Sequence, residues 1–188
     1  MERVSDGELV ARAARGDGEA FRLLVARYAN LAGSVAYSVL ADYEPARDVV
    51  QEVFLKIHRI LPRLRDPARL KNLIATTART VALDFLRRKT AAKRGYAAPF
   101  SALTDEDDQS PPLQIETRGA GPDELATKEE VRRMVLAAVE ALPEQYREVL
   151  MLHYIDGRGC DEIAALTGRT KSAVEALLHR ARAALRPK

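Results

Sequence analysis

The sequence predicts an all-α protein, built as two small helical domains joined by a flexible acidic linker. Three observations carry that expectation. Apolar residues recur at i, i+3, i+4 and i+7, not in alternation. Segments enriched in Val, Ile, Thr and aromatics at strand spacing are absent. Between residues 91 and 123 the periodicity breaks, with Pro99, Pro111, Pro112, Gly119, Gly121 and Pro122 around the acidic cluster Asp105-Glu106-Asp107-Asp108. The expected boundaries are therefore 1–90, 91–123 and 124–188.

The first helix is expected to begin at Ser5, where Ser5 and Glu8 form a capping-box pattern, and to end near Gly16. A second begins around Asp17 and carries Phe21, Leu24, Val25, Tyr28 and Leu31 on a core face. A third runs from about Glu44 to Leu61, with Pro45 tolerated in its first turn and Pro62 stopping it. Val49, Val50, Val53, Phe54, Ile57, Ile60 and Leu61 are expected to face inward on it. Asp48, Gln51, Glu52, Leu55 and Arg59 are then left outside, an exposed leucine among polar neighbours. A partner helix could use that leucine, although isolated exposed leucines are common. A fourth helix is expected from about Pro67 to Lys89, completing a four-helix domain.

Helical patterning resumes from about Glu124 through Leu142. Pro143 opens a helix with Tyr146, Val149, Leu150, Leu152 and Tyr154, which Asp156-Gly157 ends. The closing stretch, CDEIAALTGRTKSAVEALLHRARAALR, reads as helix, turn and longer helix, the pattern of a helix-turn-helix. Val174, Leu177, Leu178, Ala181 and Leu185 form its buried stripe, while Lys171, Ser172, Glu175 and His179 fall on another face. Ala164 is small where the two helices would cross, and Gly168 supplies a left-handed turn. A helical hairpin closing any small domain would look the same.

Net charge is only +3, but it is unevenly spread. Between Lys56 and Lys89 ten basic residues face two acidic ones, Asp66 and Asp84. Such a block points to a polyanion, or to a solvated basic helix face. The N-terminus has no charged-then-apolar signal pattern, and no apolar run reaches membrane-spanning length, so a cytoplasmic chain without membrane insertion is expected. Cys160 is the lone cysteine, which rules out an internal disulfide. With His58, His153 and His179 it is too scattered for a metal site. No phosphate-cradling glycine loop, nucleophile elbow or zinc-ligand cluster is present, so neither a cofactor nor an enzyme is expected.

In order and spacing, the segments DGELVARAARGDGEAFRLLVARY, EPARDVVQEVFLKIHRIL, LDFLRRK, LPEQYREVLMLHYIDGRGCDEIAALTG and LLHRARAAL resemble a bacterial sigma factor of the extracytoplasmic-function (ECF) group, in the sigma-70 family. The resemblance covers nearly the whole chain. It implies a region 2-like domain that docks on core RNA polymerase and faces the −10 element, and a region 4-like domain that reads the −35 element. Implied partners are the β′ coiled coil and β flap of core polymerase, promoter DNA and an anti-sigma factor. On this reading Asp48, Gln51, Glu52, Leu55 and Arg59 meet polymerase. Arg63, Arg65, Arg69, Lys71, Arg79, Arg87 and Arg88, with Lys89 beside them, meet DNA near −10. Arg169, Thr170, Lys171, Ser172, Glu175 and His179 meet the −35 element, while Arg180 and Arg182 position the helix or serve structure. The acidic linker is a tether, or a mimic of nucleic-acid charge in the polymerase cleft.

Two departures stand out. Where the family usually has a Trp-Leu pair and an Arg-Asn pair, this chain has Leu73-Ile74 and Arg79-Thr80, and no aromatic residue lies between His58 and Phe85. Phosphate attraction survives that change, whereas a ring for stacking an unstacked base is missing. In the recognition helix, Glu175 and Leu177 replace the usual basic pair; Glu175 can accept from a cytosine amino group but repels phosphate. Alternative functions are a free-standing helix-turn-helix regulator that ignores polymerase, and a sigma-like sequestration protein that does not read DNA.

Overall fold

A computed structural model describes residues 4–93 and 137–185. The expected linker, its acidic cluster and the start of the helix from Glu124 lie outside the described residues. Every regular element among the described residues is helical.

Helix α1 spans Asp6–Ala13 and starts where the sequence said, with the Ser5 hydroxyl accepting from the Glu8 amide at 3.2 Å. Gly16, at φ +90°, turns the chain, and Asp17 caps α2 (Gly18–Leu40) by accepting from the Ala20 amide at 3.0 Å. Arg12 donates to the same Asp17 carboxylate at 2.8 Å, tying the end of α1 to the start of α2.

At 23 residues, α2 is about 34 Å long and serves as the axle of the molecule. It packs against α1, against α3 (Tyr43–Ile60) and against α4 (Leu70–Lys93). The expectation about membrane length is corrected here: α2 is long and apolar enough to cross a bilayer by length and composition. Its apolar residues are instead spent on the bundle, with Leu24, Tyr28, Leu31, Val35 and Val39 all buried. Phe21 and Val25 are only half-buried, packed at the margin of that core.

Helix α3 buries Val49, Val50, Val53, Phe54 and Ile57 as one stripe. Ile60 does not join it. Helix α3 ends there, a 3-10 turn over Leu61–Arg63 follows, and Leu61 takes the core position, leaving Ile60 37% exposed. A second 3-10 turn, Pro67–Arg69, is capped by Asp66 and leads into α4, which buries Leu70, Ile74, Ala75, Ala78, Val81 and Ala82.

The second half begins with a helical stretch over 137–140, then α5 (Glu144–Leu150), whose axis continues as a π-helical turn over Met151–Ile155. Gly157 at φ +71° breaks it. Helix α6 (Cys160–Thr167), Gly168 at φ +66° and α7 (Lys171–Ala184) complete a helix-turn-helix, with Thr170 capping α7 through the Ala173 amide at 3.2 Å. Val174, Leu178 and Ala181 are buried on α7, with Leu177 and Leu185 packed at the edge.

The two halves pack together. Helix α5 and the π-helical turn lie against α2, and α6 touches α4. Ser34 donates to the Met151 carbonyl at 3.2 Å, and Arg147 donates to the Ser38 carbonyl at 2.9 Å. Buried apolar side chains of both halves form one continuous cluster.

Candidate polymerase and DNA interfaces

The polar face of α3 is largely open. Asp48, Gln51, Leu55 and Arg59 are exposed, and Leu55 leaves 61% of its surface in solvent. Glu52 is half-buried because Lys56 pairs with it at 2.7 Å and Arg88 approaches at 3.7 Å. The result is an apolar centre with a charged rim, the arrangement a protein partner buries best.

The candidate −10 cations divide into two sets. Arg63 and Arg65 are exposed with no ion pair among the described residues. Arg69, Arg87 and Arg88 pair with Asp66, Asp84 and Glu52 at 3.7, 3.0 and 3.7 Å, and Lys89 stands 4.0 Å from Asp42. Such exposed pairs are worth about 0–1 kcal/mol, so a phosphate can displace them. Lys71 and Arg79 are placed differently, since both turn toward the second half. Lys71 reaches Glu162 at 3.3 Å, and Arg79 pairs with Glu144 at 2.8 Å and with Glu148. Of the two residues at the position of the family's Trp-Leu pair, Ile74 is buried and Leu73 half-buried. Thr80 is exposed, its hydroxyl donating to the Thr76 carbonyl at 2.9 Å.

On α7, Ser172, Glu175 and His179 are exposed at i, i+3 and i+7, a single stripe opposite Val174, Leu178 and Ala181. Lys171 at the first turn is held by Asp161 at 2.9 Å, and that hydrogen bond raises the lysine above its ordinary pKa. Thr170 is spent on the cap. Arg169 donates to Glu148 at 2.6 Å and so faces the interior seam. Arg182 donates to the Tyr154 hydroxyl at 2.8 Å and lies 5.7 Å from that ring, which gives it a structural role.

Two groupings escaped the sequence. Arg158 bridges Asp156 at 2.7 Å and Glu162 at 2.9 Å, bracing the turn into α6. Burial pushes the Asp156 carboxyl up despite that guanidinium, whereas Arg158 and Lys71 pull Glu162 down. The second is Glu148, only 3% exposed, on which Arg79 and Arg169 converge from opposite halves. Its signal was faint: Glu148 lies one helical turn before buried Leu152, a lone acid on an apolar stripe.

A family model described as sigma-70 region 2 matches residues 24–92, and one described as sigma-70, region 4 matches residues 132–185. Over 187 residues the chain is 31% identical to the ECF RNA polymerase sigma-E factor of Escherichia coli (strain K12), a match covering 98% of this chain and 94% of the relative. The sigma-E factor of Salmonella typhimurium (strain LT2) matches equally in identity and extent. Among solved structures, CnrH in complex with the cytosolic domain of CnrY is similar at a TM-score of 0.61 and 27% identity, covering 96% of this chain and 94% of that one.

Proposed function

Because this chain belongs to the sigma-70 family, in its extracytoplasmic-function group, and directs RNA polymerase to promoters, we propose how its surfaces divide that work. Residues 1–90 dock on polymerase and face the −10 element, 91–123 tether, and 124–188 read the −35 element. Asp48, Gln51, Glu52, Leu55 and Arg59 on α3 take the β′ coiled coil, and the second half takes the β flap. Arg63, Arg65, Arg69, Arg87 and Arg88 hold phosphates near −10, joined by Lys71 and Arg79 once those are free. Arg169 to Ser172, Glu175 and His179 meet the −35 duplex. The chain makes no bond itself; polymerase does, in the cytoplasm.

The observation that carries this reading is the α7 stripe. Ser172, Glu175 and His179 stand exposed on a helix whose opposite side is locked into the core, as major-groove insertion requires. Base contacts from that stripe specify sequence, while the first-half arginines supply salt-sensitive affinity. An anti-sigma partner is part of the proposal, supported by the likeness to CnrH held by the cytosolic domain of CnrY.

Run-off transcription with purified core enzyme tests the reading. Promoter-specific initiation is expected on templates selected from a random pool, and its absence on every selected template would defeat it. A pull-down of core polymerase, lost on Asp48→Ala or Leu55→Arg, separates it from a free-standing regulator. Specific promoter binding by the assembled complex that persists as salt rises separates it from a sequestration protein.

A further inference from the structure

We propose that Ala176 determines specificity at the −35 element by packing its methyl against the C5-methyl of one thymine. The proposal rests on the reading that α7 enters the major groove there, and it goes beyond the polar residues Ser172, Glu175 and His179. Three sets of contacts fix how α7 is turned. Val174 and Ala181 are fully buried and Leu178 is 3% exposed. Thr170 caps the first turn through the Ala173 amide at 3.2 Å, and Lys171 is tied to Asp161 of α6 at 2.9 Å. Successive residues of a helix are about 100° apart. The ridge straight opposite the buried stripe is therefore Ser172, Ala176, His179 and Ala183, all of them exposed. Lys171 and Glu175 flank this ridge on one side, Ala173 and Arg180 on the other.

Three of these ridge residues have the smallest side chains that carry a Cβ. A helix about 10–12 Å across with its side chains must fit a groove about 12 Å wide and 8.5 Å deep. Small residues on the leading ridge let the backbone ride close to the base edges, where longer ones would hold it off. Such a helix reads bases from its N-terminal part. Ala176 lies in the first half of α7 (Lys171–Ala184), whereas Ala183 lies in its last turn, about 10 Å farther along the axis. Alanine offers neither a donor nor an acceptor. The apolar group that marks a base pair in the major groove is the thymine C5-methyl, so a methyl-to-methyl contact is the sequence-dependent contact open to Ala176. Ala173 and Ala184 are exposed too, but on the flanks, where high helix propensity suffices to explain an alanine. Glu175, beside Ala176, can accept from a cytosine amino group. The two together favour a thymine and a cytosine on neighbouring base pairs, information that phosphate contacts do not carry.

The test uses the full chain assembled with core polymerase on a promoter duplex selected from a random pool. Each −35 thymine is replaced in turn by deoxyuridine, which removes the methyl and keeps every hydrogen bond. One replacement should weaken binding about fourfold, the effect of uncovering one buried methyl. Ala176→Gly should bind the thymine duplex as weakly as the parent binds the deoxyuridine duplex, and should not distinguish the two. The readout is the thymine-to-deoxyuridine ratio within each protein, so a general loss of helix stability cancels. If circular dichroism shows that Ala176→Gly has lost its helices, Ala176→Ser sets a hydroxyl against the methyl and should likewise abolish the preference. Ala183→Gly should keep the parent ratio, and its loss there would overturn the assignment to Ala176. Equal affinity for thymine and deoxyuridine at every −35 position overturns the proposal, as does a preference that survives both Ala176 variants. If no base-pair exchange in the −35 element changes affinity, the reading of that element by α7 fails, and the proposal with it.

Discussion

Ala41 closes α2 in the left-handed region, at φ +52°, where a Cβ crowds the next carbonyl. Glycine has no such conflict at a helix end. Ala41→Gly should therefore stabilise the protein by about 0.5–1 kcal/mol, the steric relief of about 1–2 kcal/mol less the extra entropy of an unfolded glycine. A denaturant midpoint that fails to rise would count against it. Asp6 carries a pH signature. Burial pushes its carboxyl up, but hydrogen bonds from Tyr28 and Arg27 outweigh that, and its folded pKa is lowered. A lowered carboxylate pKa gives stability that is present above the ordinary value of about 4 and lost as pH falls through the folded value. Asp6→Asn should thus lower Tm at pH 7 and cost progressively less below about pH 4. Equal losses at both ends of that titration would refute the linkage. Asp156 has the opposite sign: its raised carboxyl favours the protonated form, so it contributes as pH falls. At this scale the sequence was readable where a residue's role is local. Leu55 stands out from its own helix face, and Ser5, Asp17 and Gly168 declare their turns. Ile60 departs from the expected face because helical periodicity does not set where the helix stops, and the left-handed Ala41 carries no sequence signature at all.

At the scale of elements, α3 and α7 are amphipathic helices whose proposed contact residues stand on the face opposite the core. This separation makes their variants informative, because neither Leu55 nor Glu175 supports the fold. Leu55→Arg should abolish capture of core polymerase while leaving unfolding free energy within about 0.5 kcal/mol of the parent, as for other surface substitutions. Retained capture would remove Leu55 from the docking face. Glu175 sits mid-stripe on α7 with solvent around it. Glu175→Lys should change the preferred base at one −35 position, with discrimination of about 1–3 kcal/mol lost there. An identical motif selected by parent and variant would show that Glu175 does not read bases. Element order, caps and the helix-turn-helix were legible because all are short-range rules. The π-helical turn Met151–Ile155 was not, since it preserves the apolar stripe of Val149 and Leu152 and announces itself only in backbone hydrogen bonds.

The whole molecule is where sequence reading was weakest. Composition separated two helical halves correctly, yet gave no hint that they share a seam, because Arg79 and Glu148 are 69 positions apart and no periodicity links them. Helix α2, by contrast, was legible as a core helix from its apolar face, although by length and composition alone it is apolar enough to cross a bilayer. The pairing of Arg79 and Arg169 with acids of the second half has a consequence for the polyelectrolyte behaviour of the chain. DNA affinity falls with salt at a logarithmic slope of about −0.9 for each phosphate neutralised. In the structure Arg79 and Arg169 are already neutralised by Glu148 and Glu144. On the proposed assignment they then displace no counterion from DNA, whereas Arg63 and Arg65, without an ion pair among the described residues, do. Removing the charge of Glu148 with Glu148→Gln frees both guanidiniums for phosphate on the proposed assignment, so the slope should steepen by about two relative to the parent chain. High salt works on both sides, since it also weakens the seam by shortening the screening length from about 10 Å at 0.1 M to about 3 Å at 1 M. The two chains should therefore converge in affinity as salt rises and differ most when it is low. Parallel lines on a double-logarithmic plot would mean that Arg79 and Arg169 meet the same number of phosphates whether or not Glu148 holds a charge.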